Sequence, residues 1–121
     1  MSDDAWQQRE KGFETKYQLD ENIRFKVTVR RNKLFGLWAA GEMGLAGGGA
    51  EAYARQVIEA DFEEKGDDDV IRKVLADMTA NDLETTAGRL RIRLDKCQDE
   101  ALRQIQDEIE SGQQHIVDDT L

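Results

Sequence analysis

Few residues in this chain could do chemistry. Among 121 residues there is one cysteine, Cys97, and one histidine, His115. A thiol nucleophile needs a base within hydrogen-bond reach, and a zinc site of the usual nitrogen and sulfur type needs several such ligands. One of each builds no zinc site. Cys97 also falls on an apolar helical face, where a buried structural thiol is expected. Asp67-Asp68-Asp69 puts three carboxylates in a row, but a calcium loop spaces its ligands apart. The run suits a helix start, where an acid caps the helix and favours its dipole. The glycine-rich stretch Gly44 to Gly49 lacks the lysine and Ser/Thr of a phosphate loop and reads as a flexible link between helices. Carboxylates are plentiful, yet no pair is singled out for acid–base work. The expectation is a protein that is not an enzyme, with no catalytic residue, no metal and no resident cofactor.

Charge is the stronger signal. The chain carries −9 overall. Residues 22 to 40 hold Arg24, Lys26, Arg30, Arg31 and Lys33 and no acid, which is +5 and leaves the remainder at −14. A net acidic chain is poorly suited to nucleic acid, whose affinity comes largely from phosphate neutralisation. Charged residues make up 36% of the chain, but 39% are hydrophobic and periodic, so a folded core is expected rather than disorder. The single cysteine rules out an internal disulfide and fits a reducing compartment. No apolar run approaches the roughly 20 residues of a membrane span. Met1-Ser2-Asp3-Asp4 is acidic where a secretory signal is basic and then apolar. The expected location is cytoplasmic.

The elements that must position these residues are helices. There is no proline, which helices tolerate and turn-rich β folds do not. A first helix runs from a cap near Asp20 to about Met43. At 100° per residue, Leu19, Ile23, Val27, Leu34, Leu37, Trp38, Gly41 and Leu45 share one sector, and Trp38 is the expected anchor. Arg30 lies in the middle of that sector, so it must snorkel, find a carboxylate or meet a partner. Phe25 to Val29 alternates like a strand but is embedded in this longer stripe. Gly44 ends the helix. A second helix spans about Ala50 to Glu64. A third is capped by Asp67 and carries Val70, Ile71, Val74, Leu75 and Met78. A fourth starts near Thr85 or Thr86, keeps Leu90, Leu94, Cys97, Ala101, Ile105 and Ile109 on one face, and ends at Ser111-Gly112. The expectation is an all-α, small four-helix bundle over 19–112 with a mobile N-terminal arm at 1–18 and a disordered tail at 113–121. In the arm, Trp6, Phe13 and Tyr17 share a face of a marginal helix weakened by Gly12.

Three stretches resemble a known family. They are Arg9-Glu10-Lys11-Gly12-Phe13-Glu14-Thr15-Lys16-Tyr17, Arg24-Phe25-Lys26, and Arg30-Arg31-Asn32-Lys33-Leu34-Phe35-Gly36-Leu37-Trp38-Ala39-Ala40. Ala52-Tyr53-Ala54, Asp61-Phe62-Glu63 and Gly66 through Val74 continue the likeness. Together they resemble the zeta inhibitor subunit of the alphaproteobacterial F-type ATP synthase over most of residues 9 to 78. The resemblance implies a four-helix bundle whose N-terminal segment inserts at a catalytic interface of the synthase head, beside the central stalk. There it blocks ATP hydrolysis and spares synthesis. It implies Arg9, Glu10, Lys11, Phe13, Glu14, Lys16 and Tyr17 as partner-binding residues. The basic face at Arg24, Arg30 and Arg31, read from the residues themselves, is a candidate secondary contact. The implied partners are the alpha, beta and central-stalk subunits, without nucleic acid or membrane insertion, and the implied location is peripheral at the inner-membrane ATP synthase. The family is also linked to weak adenine nucleotide binding. Gly12 departs from the family, which carries a helix former there, and Ser111 to Leu121 extends beyond the usual end. The alternatives are a bundle that senses adenine nucleotide and an adaptor that uses its basic face.

Overall fold

A computed structural model describes residues 21–62 and 68–112. Within them the chain forms α1 (Glu21–Glu42), α2 (Gly47–Ala60), α3 (Asp68–Ala80) and α4 (Ala87–Glu110), with no strand among the described residues. Phe25 to Val29 lies inside α1. The expected arm and tail, and the proposed cap Asp67, lie outside the described residues.

The helix ends follow local chemistry. Gly44 has φ 82°, the left-handed conformation that glycine adopts without a Cβ penalty. It lets Leu45 N–H donate to Ala40 O at 2.8 Å and Gly44 N–H donate to Gly41 O at 3.1 Å, the paired closure of a Schellman end. α3 ends in the same way, with Leu83 N–H on Met78 O at 2.9 Å and Asp82 N–H on Thr79 O at 3.0 Å. There, however, the left-handed residue is Asp82, at φ 62°. Asp82→Gly is expected to raise the unfolding free energy by roughly 0.5–1 kcal/mol, since left-handed backbone disfavours a Cβ. A urea midpoint that stays or falls would contradict this. At the start of α4 the Thr86 hydroxyl accepts from Arg89 N–H at 3.2 Å, the cap expected from sequence.

Two boundaries differ from expectation. The link between α1 and α2 is only residues 43–46, and Gly47, Gly48 and Gly49 form the first turn of α2. Ala46 is extended and its carbonyl accepts from Gly49 and Ala50 N–H, which makes the glycines part of the first turn. α2 stops at Ala60 rather than Glu64. Asp61 leaves the helix and accepts from Asn32 Nδ2 at 2.9 Å.

α1 is the hub. It packs on α2, α4 and α3, while α3 packs on α2 and α4. α1 and α4 have 22 and 24 residues, against 14 and 13 for α2 and α3. At 1.5 Å per residue the long pair outreaches the short pair by more than 10 Å. Two cores result. Phe35, Ala39, Ala40, Tyr53, Val57, Val70, Val74, Met78, Leu90 and Leu94 fill the level where all four helices meet. Ile23, Val27, Ala101, Leu102 and Ile105 fill the level where α1 has α4 beside it.

This arrangement corrects the sequence reading of α1. Ile23 and Val27 are buried as expected, but Gly41 and Leu45 are exposed and Leu34, Leu37 and Trp38 are only half-buried. The fully buried aromatic is Phe35, against which Trp38 stacks at 5.8 Å. Phe35 and Ala39 stand about 120° and 160° from Ile23 around the helix axis. The buried face rotates along α1 because its N-terminal half meets one long neighbour and its C-terminal half meets three.

Candidate functional site

The partner-binding residues expected from sequence, Arg9, Glu10, Lys11, Phe13, Glu14, Lys16 and Tyr17, lie outside the described residues. What the structure describes is the bundle that follows that segment in the chain.

The basic run of α1 does not form one face. Arg30 is half-buried and forms a two-point pair with Glu108 of α4, Nη1 to Oε2 at 2.7 Å and Nη2 to Oε1 at 3.0 Å. Nη1 also donates to Gln104 Oε1 at 2.8 Å. The arginine on the apolar sector therefore finds a carboxylate inside the bundle. Such forked pairs fix geometry as well as adding energy. Arg24 is half-buried and Lys26 is buried. Arg31 is 1% exposed, so it is not available on the surface as a secondary contact. Of the three, Arg24 and Arg30 keep partial exposure and Arg31 is buried.

Arg31 instead belongs to a polar cluster that sequence reasoning missed. Its Nε donates to Asn32 Oδ1 at 3.0 Å, its Nη1 to Gln98 Oε1 at 3.4 Å, and its Nη2 lies 3.6 Å from Asp61 Oδ2. Asn32 bridges back to Asp61. Arg31, Asn32 and Gln98 are buried. The cluster occupies the level where α2 ends, between the two apolar cores, and ties the end of α2 to α1 and α4. The only sequence signal was Arg31-Asn32 itself, one step beyond the arginine that the helical wheel singled out.

Tyr53, Cys97 and Glu100 are held neutral or engaged. The Tyr53 hydroxyl donates to Asp77 Oδ2 at 2.7 Å, and Lys73 bonds the same carboxylate at 3.0 Å. Burial, and then the hydrogen bond and charge of Asp77, push the tyrosine far above its usual range. Burial pushes Cys97 up to about 11, as fits a structural thiol on the inner face of α4. Glu100, hydrogen-bonded by Arg103 and Gln104, is held below the usual carboxylate range. His115 lies outside the described residues. The neutral form of Cys97 is favoured in the fold, so its contribution to stability is full below pH 9 and is lost as pH rises from 9 towards 11. Alkylation of Cys97 by iodoacetamide in the native protein is expected to be slow at pH 8 and to rise sharply above pH 10. Reaction at the rate of a free thiol at pH 8 would contradict the burial.

Grooves among the described residues include two that offer an apolar wall beside cations. One, of about 510 Å³ between α3 and α4, is flanked by Arg72 and Arg91 over Ile71 and Leu75. Those arginines pair with Asp69 at 2.7 Å and Asp68 at 3.1 Å. The other, of about 390 Å³ between α1 and α2, contains Val29, Ala54 and Ile58 and ends at Phe62. Phe62 is 62% exposed and stacks on Phe25 at 6.0 Å. No helix among the described residues is long and apolar enough to cross a membrane.

Comparison with known proteins supplies the rest. A structure solved by solution NMR is similar to this chain at 42% identity and a TM-score of 0.64, over 71% of this chain and 98% of that one. Comparison with curated proteins gives no match. The sequence pattern of the family described as ATPase inhibitor subunit zeta matches residues 3–104, further in both directions than the likeness read over 9 to 78. That family comprises inhibitor subunits rather than enzymes. With a match over residues 3–104 of its 121, the chain belongs to the ATPase inhibitor subunit zeta family.

Proposed function

We propose that this chain binds the catalytic head of the F-type ATP synthase and stops ATP hydrolysis while sparing synthesis, by inserting its N-terminal segment at a catalytic interface beside the central stalk. The observation that carries this reading is the family match from residue 3, which takes in the whole segment Arg9 to Tyr17. The mechanism needs no catalytic group. Phe13 and Tyr17, one helical turn apart, would bury apolar area in the cleft. Arg9, Glu10, Lys11, Glu14 and Lys16 would fix the register. The bundle would supply a stiff base, because the described turns of α1 from Glu21 onward are held to α4 by Ile23 and Val27 and by Arg30–Glu108. The protein would then act at the cytoplasmic side of the inner membrane, against the alpha, beta and central-stalk subunits.

The test is ATP hydrolysis by the matching head, with the full chain, with the chain lacking residues 1–18, and with Phe13→Ala plus Tyr17→Ala. The full chain is expected to inhibit, and the other two at least about tenfold more weakly, since two buried aromatic anchors at hot-spot energies account for that much. If the full chain at saturation does not slow hydrolysis, the reading fails.

A second reading, a bundle that senses adenine nucleotide, draws on the α3–α4 groove. Arg72 and Arg91 beside Ile71 and Leu75 would offer cations for phosphate by exchanging their Asp69 and Asp68 partners, and the groove has an apolar wall for a base. An ATP titration followed by amide shifts tests it, and the absence of any saturable shift on α3 and α4 would sink it.

A further inference from the structure

We propose that the groove between α1 and α2 is a docking site for an amphipathic helix of a protein partner, one whose apolar stripe is flanked by carboxylates. The floor is built for it. Val29 on α1 and Ala54 and Ile58 on α2 give an apolar trough that closes at one end on the stacked Phe25–Phe62 pair. Phe62 and Phe25 are 62% and 44% exposed, while the fully buried aromatic of α1 is Phe35. Large aromatics held open beside a trough are the usual anchors of helix-in-groove recognition.

Charge selects the occupant. Lys33 and Arg55 line the same groove, and neither has a hydrogen bond or ion pair among the described residues. Most other cations of the bundle are engaged: Arg30 with Glu108, Arg31 with Asp61, Arg72 with Asp69, Lys73 with Asp77 and Arg91 with Asp68. In a chain of net charge −9, two unpaired cations beside an apolar trough complement carboxylates on a visiting helix. Glu51, on the same rim, disfavours a uniformly acidic surface and requires the partner's acids to sit near Lys33 and Arg55. The proposal rests on the inhibitor reading only for the identity of the partner, the synthase head. In that setting the groove anchors the bundle while the N-terminal segment enters the cleft.

The experiment uses the full chain with Phe62→Ser, Arg55→Glu and Lys33→Glu, all at surface positions, each checked for an unchanged amide spectrum. Binding to the purified head is expected to weaken at least tenfold for Phe62→Ser, and to weaken and lose salt dependence for the charge reversals. Unchanged binding by all three overturns the proposal. A wild-type chain that does not bind the head is a failure of the inhibitor reading. The groove is then judged with a synthetic helix carrying leucines at i, i+4 and i+7 and two glutamates in its first turn. Saturable shifts at Val29, Ile58 and Phe62, abolished by Arg55→Glu and restored when the peptide's glutamates become lysines, support the site. No shift, or shifts elsewhere, overturn it. Sedimentation that shows a dimer dispersed by Phe62→Ser would put a second copy in the groove and also overturn it.

Discussion

Replacing Arg31 with alanine is expected to lower the unfolding free energy by about 3–5 kcal/mol, the usual cost of removing one partner of a buried pair. The guanidinium is 1% exposed and faces Asn32, Gln98 and Asp61. Its removal leaves the Asp61 carboxylate, 12% exposed, still bonded by Asn32 but without the guanidinium charge beside it, and it opens a void between the two apolar cores. Arg31→Lys recovers only part of the loss, because an ammonium cannot reach three partners from one planar fork. Arg31→Met combined with Asp61→Asn recovers more, since no buried charge is then uncompensated. Urea unfolding followed by far-ultraviolet circular dichroism measures this, with a lower midpoint and an unchanged slope. A loss below 1 kcal/mol would mean that the cluster is not structural. The same variant separates two roles. A surface arginine that touched the partner would weaken binding and leave stability alone, whereas Arg31→Ala is expected to do the reverse at temperatures where the variant remains folded.

Gly36→Val is the second large loss, about 2–3 kcal/mol, within the range for forcing extra volume into a packed site. A Cβ at Gly36 would lie 2.7 Å from the Ala54 Cα and 3.2 Å from Val57 Cγ2. The first is backbone, which no rotamer change relieves, so α1 and α2 must separate. Gly36→Ala suffers the same clash, offset by about 1 kcal/mol of helix propensity, and is expected to be the milder of the two. Gly41 is the control. It lies in the same helix with nothing within 4 Å of its Cβ position, so Gly41→Ala is expected to stabilise by roughly 0.5–1 kcal/mol. If both alanine variants shifted stability equally, the close approach of α1 and α2 would be wrong. Because Ala54, Ile58 and Val29 also form the outer groove, Gly36→Val is expected to disturb that surface as well.

The run Arg30 to Ala40, the most specific family mark in the sequence, is largely architectural in this light. Arg30 ties α1 to α4, Arg31 and Asn32 tie it to the end of α2, and Gly36 admits α2. Phe35, Ala39 and Ala40 fill the main core, while Trp38 lies over Phe35 with Arg93 stacked 4.9 Å from its ring.

What the sequence determined by itself was local. Helical periodicity placed four helices, Gly44 and Thr86 marked ends that their own backbone geometry enforces, and the apolar faces of α3 and α4 were legible because each keeps one face inward along its length. The tertiary structure decided which face of α1 is buried, which of two adjacent arginines goes inside, and where the α1–α2 link ends. The reason is that α1 meets one long neighbour at its start and three at its end, so its buried face rotates along the axis. A helical wheel averages over that rotation and points to Arg30. The carboxylate and amide that take in Arg31 come from positions 61 and 98, and only the packing of three helices brings them together.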